Sequence, residues 1–188
     1  MKSEVEQKKN PGWIIKIYPF ALLLISIIIN LLLGVTSIET AVPSLEIIKI
    51  LSISAVLLTI NHSWIMTATE LTRLRFKIFA TPEEWKQSGK SKDSITDEGQ
   101  FEIERHLNTH RNTTENIVYY IFLAVIFSFV SPDIVTASIW LLMFPISRFG
   151  YTYCYFSGND NMRGIFMSLT LLSVYGISSF LVLSIFGT

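Results

Sequence analysis

Hydrophobic positions gather into five long blocks separated by short polar stretches. The first, Trp13–Leu33, holds Lys16 as its only charge. At about 1.5 Å of rise per residue a helix of that length covers about 30 Å, the hydrocarbon thickness of a bilayer. The second runs from Ile47 to Thr69, with Lys49 near its start and Asn61 and His62 interrupting it. The third begins near Ile117 and ends at the Ser131-Pro132-Asp133 turn; the polar residues before it continue the same helix. The fourth, Ile134–Phe156, carries Pro145 and Arg148, and the fifth, Ile165–Phe186, is uncharged from Gly164 onward. The pattern predicts five spanning helices in an all-α integral membrane protein.

Lys2, Lys8 and Lys9 precede the first block, as basic residues also precede a signal peptide. Its apolar core exceeds the roughly 7–15 residues of a signal sequence, which favours a retained helix over a cleaved one. The expected division is residues 1–40, a tail plus this additional helix, followed by a four-helix membrane domain over 41–188.

Composition agrees. The chain has 188 residues, 50% hydrophobic and 16% charged, against about a quarter charged in soluble domains. With 13 Phe, 7 Tyr and 4 Trp, so small a chain cannot hide its apolar surface from water. Lys+Arg and Asp+Glu balance at 15 each, which argues against nucleic-acid binding, and a single cysteine excludes an internal disulfide framework. No P-loop, GxGxxG, HExxH or paired-cysteine metal signature is present.

Charge sets an orientation. More than half of the 15 basic residues fall between Arg73 and Arg111, whereas the Val35–Leu45 connection carries only Glu39 and the Ser131–Asp133 turn only Asp133. The excess of Lys and Arg predicts a cytoplasmic N-terminus, Arg73–Arg111 segment and Ser157–Arg163 turn. The opposite ends of the helices then face the other side.

Two polar stripes stand where lipid is expected. Asn108, Arg111, Asn112 and Glu115 share one helical face, flanked by His110 and Asn116, and Arg148, Tyr151, Thr152 and Tyr155 share another. Ionisable groups at membrane depth mark function or interior pairing. With Arg73 and Arg163 they bring four arginines, a glutamate and two tyrosines to one depth. Such a set suits a small anionic ligand with a free amine, because guanidinium forks take carboxylates and a glutamate takes an ammonium. The competing reading is an interhelical structural pair such as Arg148 with Glu115. Asn61 and His62 read as ordinary bundle-interior polar residues, and Cys154 as a small buried hydrophobe.

Several motifs occur in an order that resembles the MAPEG family, membrane-associated proteins of eicosanoid and glutathione metabolism. Thr67-Ala68-Thr69 through Arg73-Leu74, and then Phe79 through Glu84, resemble the end of that family's first helix and its following loop. Glu104-Arg105 followed by His110 through Asn116 resembles the start of its second helix; Ser131-Pro132-Asp133 and Arg148 through Tyr155 resemble its next turn and third helix. The likeness covers Ile47 to Phe186. It implies a four-helix protomer, a homotrimer, and glutathione as co-substrate between subunits near the cytoplasmic face. Arg73, His110, Arg111, Asn112, Glu115, Arg148, Tyr151, Tyr155 and Arg163 would then contact glutathione, with Arg163 nearest the thiol and Arg148 beside it. Glu84 matches an acidic loop position.

Three departures from the pattern matter: the added helix Trp13–Leu33, Asn108 where an arginine is common, and Gly164 where the prostaglandin E synthase branch carries a serine. The last favours the microsomal glutathione transferase branch. The resemblance implies a transferase, with peroxidase activity, acting on lipophilic electrophiles or lipid hydroperoxides in the membrane. A lipid-binding scaffold on the same fold and a prostaglandin E synthase-like isomerase are the alternatives, and a small channel leaves the loop motifs unexplained. Arg163, just before an uncharged helix, opposes the helix dipole. A bound anion would resolve that conflict.

Overall fold

The computed structural model describes residues 12–35 and 41–186. Lys2, Lys8, Lys9 and Glu39, which enter the orientation argument, lie outside the described residues. Within them the chain forms six α-helices: α1 (Gly12–Leu33), α2 (Leu45–Phe76), α3 (Pro82–Ser88), α4 (Asp97–Phe129), α5 (Ile134–Phe156) and α6 (Asp160–Phe186). No strand occurs among the described residues.

Capping fixes the boundaries. Ser44, Thr81, Thr96 and Asp133 each accept backbone N–H groups from the first turn that follows them, which satisfies donors a helix start leaves orphaned. Asp133 Oδ1 takes two, from Val135 at 2.9 Å and Thr136 at 3.0 Å, and turns the chain sharply after α4. The stretch from Arg73 to Arg111 is largely helical. α2 continues to Phe76, α3 is a short helix locked by Trp85 Nε1 donating to the Phe79 carbonyl at 2.9 Å, and α4 begins at Asp97, well ahead of its polar stripe.

Four helices, α1, α2, α5 and α6, are long and apolar enough to cross a membrane. The fifth expected crossing, α4, is longer than any of them at 33 residues, but its first half is polar. Its apolar part, Ile117–Phe129, covers only about 20 Å.

The core lies where α2, α4, α5 and α6 meet, around Leu58, Tyr120, Phe127, Trp140, Phe144 and Phe180. Pro145 supplies no N–H to the Leu141 carbonyl one turn earlier. The Tyr120 hydroxyl donates to that carbonyl at 2.7 Å and pairs with the Ser54 hydroxyl at 2.7 Å, while its ring stacks on Phe144 at 4.0 Å. The kink-prone proline thus ties α2, α4 and α5 together.

α1 is not apart from this bundle. Its outer face, with Phe20, Leu31 and Leu32 exposed, suits lipid, but Leu22, Ser26 and Asn30 are buried against α6. The Asn30 amide donates to the Gly176 carbonyl (2.8 Å) and Ser179 hydroxyl (2.9 Å) and accepts from Trp140 Nε1 (2.8 Å). Gly176 makes this possible: a Cβ there would fall 2.3 Å from the Trp140 ring.

Candidate anion site at the loop end of the bundle

Arg148 is brought to the bundle interior by α5 and is fully buried. Its Nη2 donates to Asn112 Oδ1 at 3.1 Å and Thr113 Oγ1 at 2.5 Å on α4, and its Nη1 lies 3.9 Å from the Met167 sulfur on α6. The guanidinium sits 4.2 Å above the Tyr151 ring, Tyr151 leans on Tyr155 at 5.6 Å, and the Arg163 guanidinium lies 4.8 Å from the Tyr155 ring. Five of the nine expected ligand residues, Asn112, Arg148, Tyr151, Tyr155 and Arg163, thus form one continuous ladder from the interior to the loop end.

The ladder is short of negative charge. Arg148 has no carboxylate in ion-pair range and Glu115 pairs with nothing among the described residues, so an Arg148–Glu115 pair is not formed. Among the described residues Arg148 Nε is buried without a partner. A guanidinium withdrawn from water and satisfied only by neutral groups is costly, and an anion beside it relieves that cost. The cationic end of the ladder opens into a cavity of about 310 Å³ whose lining includes Glu104, Arg105, Asn108, Tyr155, Asp160 and Arg163.

Arg163 differs from expectation. α6 starts at Asp160, so Arg163 lies inside its first turns rather than before it. Asn159 Oδ1 accepts from Met162 N at 3.2 Å, and Asp160 pairs with Arg163 at 3.0 Å. An acid in the first turn offsets both the dipole and the cation, so the local charge conflict is resolved within the chain. The arginine is available to a ligand by exchange of a solvent-exposed carboxylate, a weak pairing.

The other expected residues are placed elsewhere. Arg73 pairs with Glu70 at 3.2 Å in a separate cavity of about 260 Å³ with Lys77, Glu84 and Lys90. Glu84 spends one carboxylate oxygen on Ala80 N at 2.8 Å. His110 turns toward α2, its ring 5.4 Å from that of His62, while Arg111 and Glu115 are exposed. Asn61 is fully buried, with both amide atoms unpartnered among the described residues, and Cys154 is buried.

Sequence reasoning missed Thr113 and Met167, which hold Arg148, and Arg105, which holds the site's far wall. Arg105 donates to the Phe156 carbonyl at 3.2 Å, pinning the α5–α6 turn to α4. Its neighbour His106 packs on Phe156 with ring centroids 4.2 Å apart. Burial pushes His106 below the usual histidine range; Arg105 adds to the shift and Glu102 opposes it. Arg105 stands beside Glu104 in a recognised motif and pairs with Glu102 at 3.5 Å; Thr113 carried no signal apart from its neighbours.

Fold and site together define a helical membrane protein with a ladder of arginine and tyrosine side chains between helices. The chain belongs to the MAPEG family, whose family model matches residues 50–183. It is 34% identical to horse (Equus caballus) prostaglandin E synthase over 99 residues, 53% of this chain and 63% of that protein. To the rat (Rattus norvegicus) prostaglandin E synthase it is 30% identical over 128 residues, 68% of this chain and 81% of the relative. To rat microsomal glutathione S-transferase 1 it is 30% identical over 114 residues, 58% and 72% of the two chains. The match spans less than two thirds of the horse protein's length, and α1 lies before the family match.

Proposed function

We propose that the chain is a membrane-bound glutathione transferase that holds the glutathione thiolate and delivers it to lipophilic electrophiles, with peroxidase activity toward lipid hydroperoxides. The observation that carries this reading is the buried Arg148, lacking a carboxylate, at the inner end of a ladder that reaches Arg163. A thiol of this kind has an ordinary pKa of about 8.5. A guanidinium beside a partly desolvated thiol favours the thiolate, and each unit of lowering is worth about 1.4 kcal/mol. Arg163 is the residue assigned to the sulfur, with Arg148 beside it. Arg73, His110, Arg111, Asn112 and Glu115 are assigned to the carboxylates and amine of glutathione, and Tyr151 and Tyr155 to its flank.

The chemistry needs no metal and no covalent enzyme intermediate. The thiol proton leaves to solvent, the sulfur attacks the electrophilic carbon of an aryl halide, a C–S bond forms, and halide departs. With a hydroperoxide the sulfur attacks the terminal oxygen; a second glutathione thiol completes a disulfide, leaving alcohol and water.

Arg73 occupies a different cavity from the ladder within one chain. A second copy presenting its Arg73 to the ladder would complete the ligand set, which supports a homotrimer with glutathione between subunits. The Lys and Arg of the α2–α4 segment support placing this end of the bundle in the cytoplasm. A glutathione-dependent isomerase is the second reading, favoured by the likeness to prostaglandin E synthase and disfavoured by Gly164.

Calorimetric titration of the detergent-purified protein with glutathione, followed by conjugation of chlorodinitrobenzene, tests the proposal. Binding below millimolar glutathione with conjugate formation is expected. Absence of binding at millimolar glutathione would instead support a scaffold on the same fold.

A further inference from the structure

The Tyr120 hydroxyl marks one layer of the core, bonding the Ser54 hydroxyl on α2 and the Leu141 carbonyl on α5, each at 2.7 Å. From this point α2 and α5 run the same way, Trp64 stacking on Phe149 at 6.3 Å, and α4 runs against them, the His62 ring 5.4 Å from that of His110. Seven residues make about two helical turns and return a side chain to nearly the same face. Two turns toward the loop end from Ser54, Tyr120 and Leu141 stand Asn61, Thr113 and Arg148. The hydrogen bond from Arg148 to Thr113 falls in this register.

This second layer is polar and dry. Asn61 and Arg148 are fully buried, and Thr113 nearly so. α4 and α6 serve the terminal nitrogens of Arg148 through Asn112, Thr113 and Met167, while α2 gives it no direct hydrogen bond among the described residues. Arg148 Nε, both amide atoms of Asn61 and the hydroxyl of Thr152 are buried there without a partner among the described residues. Thr152 is one turn from Arg148 on the same face of α5. Orphaned buried polar groups are costly and rare, and several in one layer point to a shared partner. Their chemistry is complementary: Nε offers a donor, Asn61 Oδ1 an acceptor, and the Thr152 hydroxyl either. A buried water takes about three hydrogen bonds and satisfies all three groups at once.

We propose that Asn61 is a positioning residue for Arg148: one buried water joins its amide to Arg148 Nε and the Thr152 hydroxyl and fixes the guanidinium in place. The functional consequence rests on the transferase reading given above, and adds to it a residue of α2 that acts through Arg148 and leaves glutathione untouched. A neutral amide holds the cation without neutralising it. A carboxylate in its place would take up the charge that the ligand anion needs.

The test uses the whole protein in mild detergent and two stability cycles against Arg148→Met. Asn61→Asp should keep the native Tm when Arg148 is present, because the new carboxylate gains a guanidinium partner. In the Arg148→Met chain the same substitution should lower Tm by several degrees, because the carboxylate is buried alone. Asn61→Leu should run the other way, lowering Tm beside Arg148 and sparing or raising it in the Arg148→Met chain. Calorimetric titration then reads the use of the contact. Asn61→Asp should raise the Kd for glutathione at least tenfold, and Asn61→Leu should raise it less. Equal Tm changes with and without Arg148, or native glutathione affinity in Asn61→Asp, would overturn the proposal. If the native protein binds no glutathione, the transferase reading fails, and the two stability cycles still decide whether Asn61 holds Arg148.

Discussion

A buried guanidinium satisfied by an asparagine, a threonine, a methionine sulfur and one ring face is a poor way to stabilise a bundle and a good way to receive an anion. Replacing a buried charge by an apolar side chain of similar size is often neutral or stabilising by about 1–4 kcal/mol. Arg148→Met should therefore leave thermal stability in detergent unchanged or raised while glutathione affinity falls at least tenfold. A Tm drop together with retained affinity would mark Arg148 as structural. His106 gives the residue scale its pH dependence. Its folded pKa lies below the ordinary 6.5, so the unfolded chain binds more protons between the two values, and stability falls as pH drops below about 6.5. His106→Phe should flatten Tm against pH over that window; an unchanged slope would assign it to another group. Why the sequence revealed Arg148 but not its holders is also a matter of residue chemistry. An arginine inside an apolar block announces itself, whereas Thr113 and Met167 are ordinary in such helices and gain their role only through packing.

At the element scale, α1 is defined by one polar stripe in an otherwise lipid-compatible helix. Asn30 saturates its amide on three partners, and interhelical hydrogen bonds of this kind are worth about 1–2 kcal/mol each at most in membranes. Asn30→Leu should lower stability by about that amount and loosen α1, seen as new protease sensitivity between α1 and α2. Gly176→Ala should cost as much or more, because the added methyl meets the Trp140 ring. Protection equal to the native chain in both variants would contradict the docking described here. The five blocks, the Ser131–Asp133 turn and the continuity of α4 were legible because apolar length and capping chemistry are local signals. The docking of α1 was not: a lone Asn30 in an apolar run carries no record of its partners 110 and 146 residues away. The start of α6 at Asp160 was likewise hidden, because Asn159 caps the helix ahead of the apolar block that signals it.

At the scale of the whole molecule, one chain holds Arg73 and the Arg148–Arg163 ladder in separate cavities. If the complete site spans two copies, Arg73→Ala and Arg163→Ala chains, each inactive alone, should complement when co-expressed and co-assembled. Random pairing around a ring leaves both residues intact at roughly a quarter of the sites, and conjugation should recover to about that fraction. No recovery in assemblies of mixed composition would place the whole site within one chain, and a stable monomer in mild detergent would remove the trimer. The resemblance supplied this assembly; nothing in hydropathy or spacing states a copy number.

If Arg163 stabilises a thiolate, as proposed, ultraviolet difference absorbance of bound glutathione against pH measures it directly. The native protein should develop the thiolate signal well below the ordinary thiol pKa of about 8.5. Arg163→Lys should bind glutathione with a weaker signal, and Arg163→Ala should bind without one near neutral pH. An Arg163→Ala protein whose thiolate titrates at the native pH would make the arginine an interface anchor and contradict the mechanism.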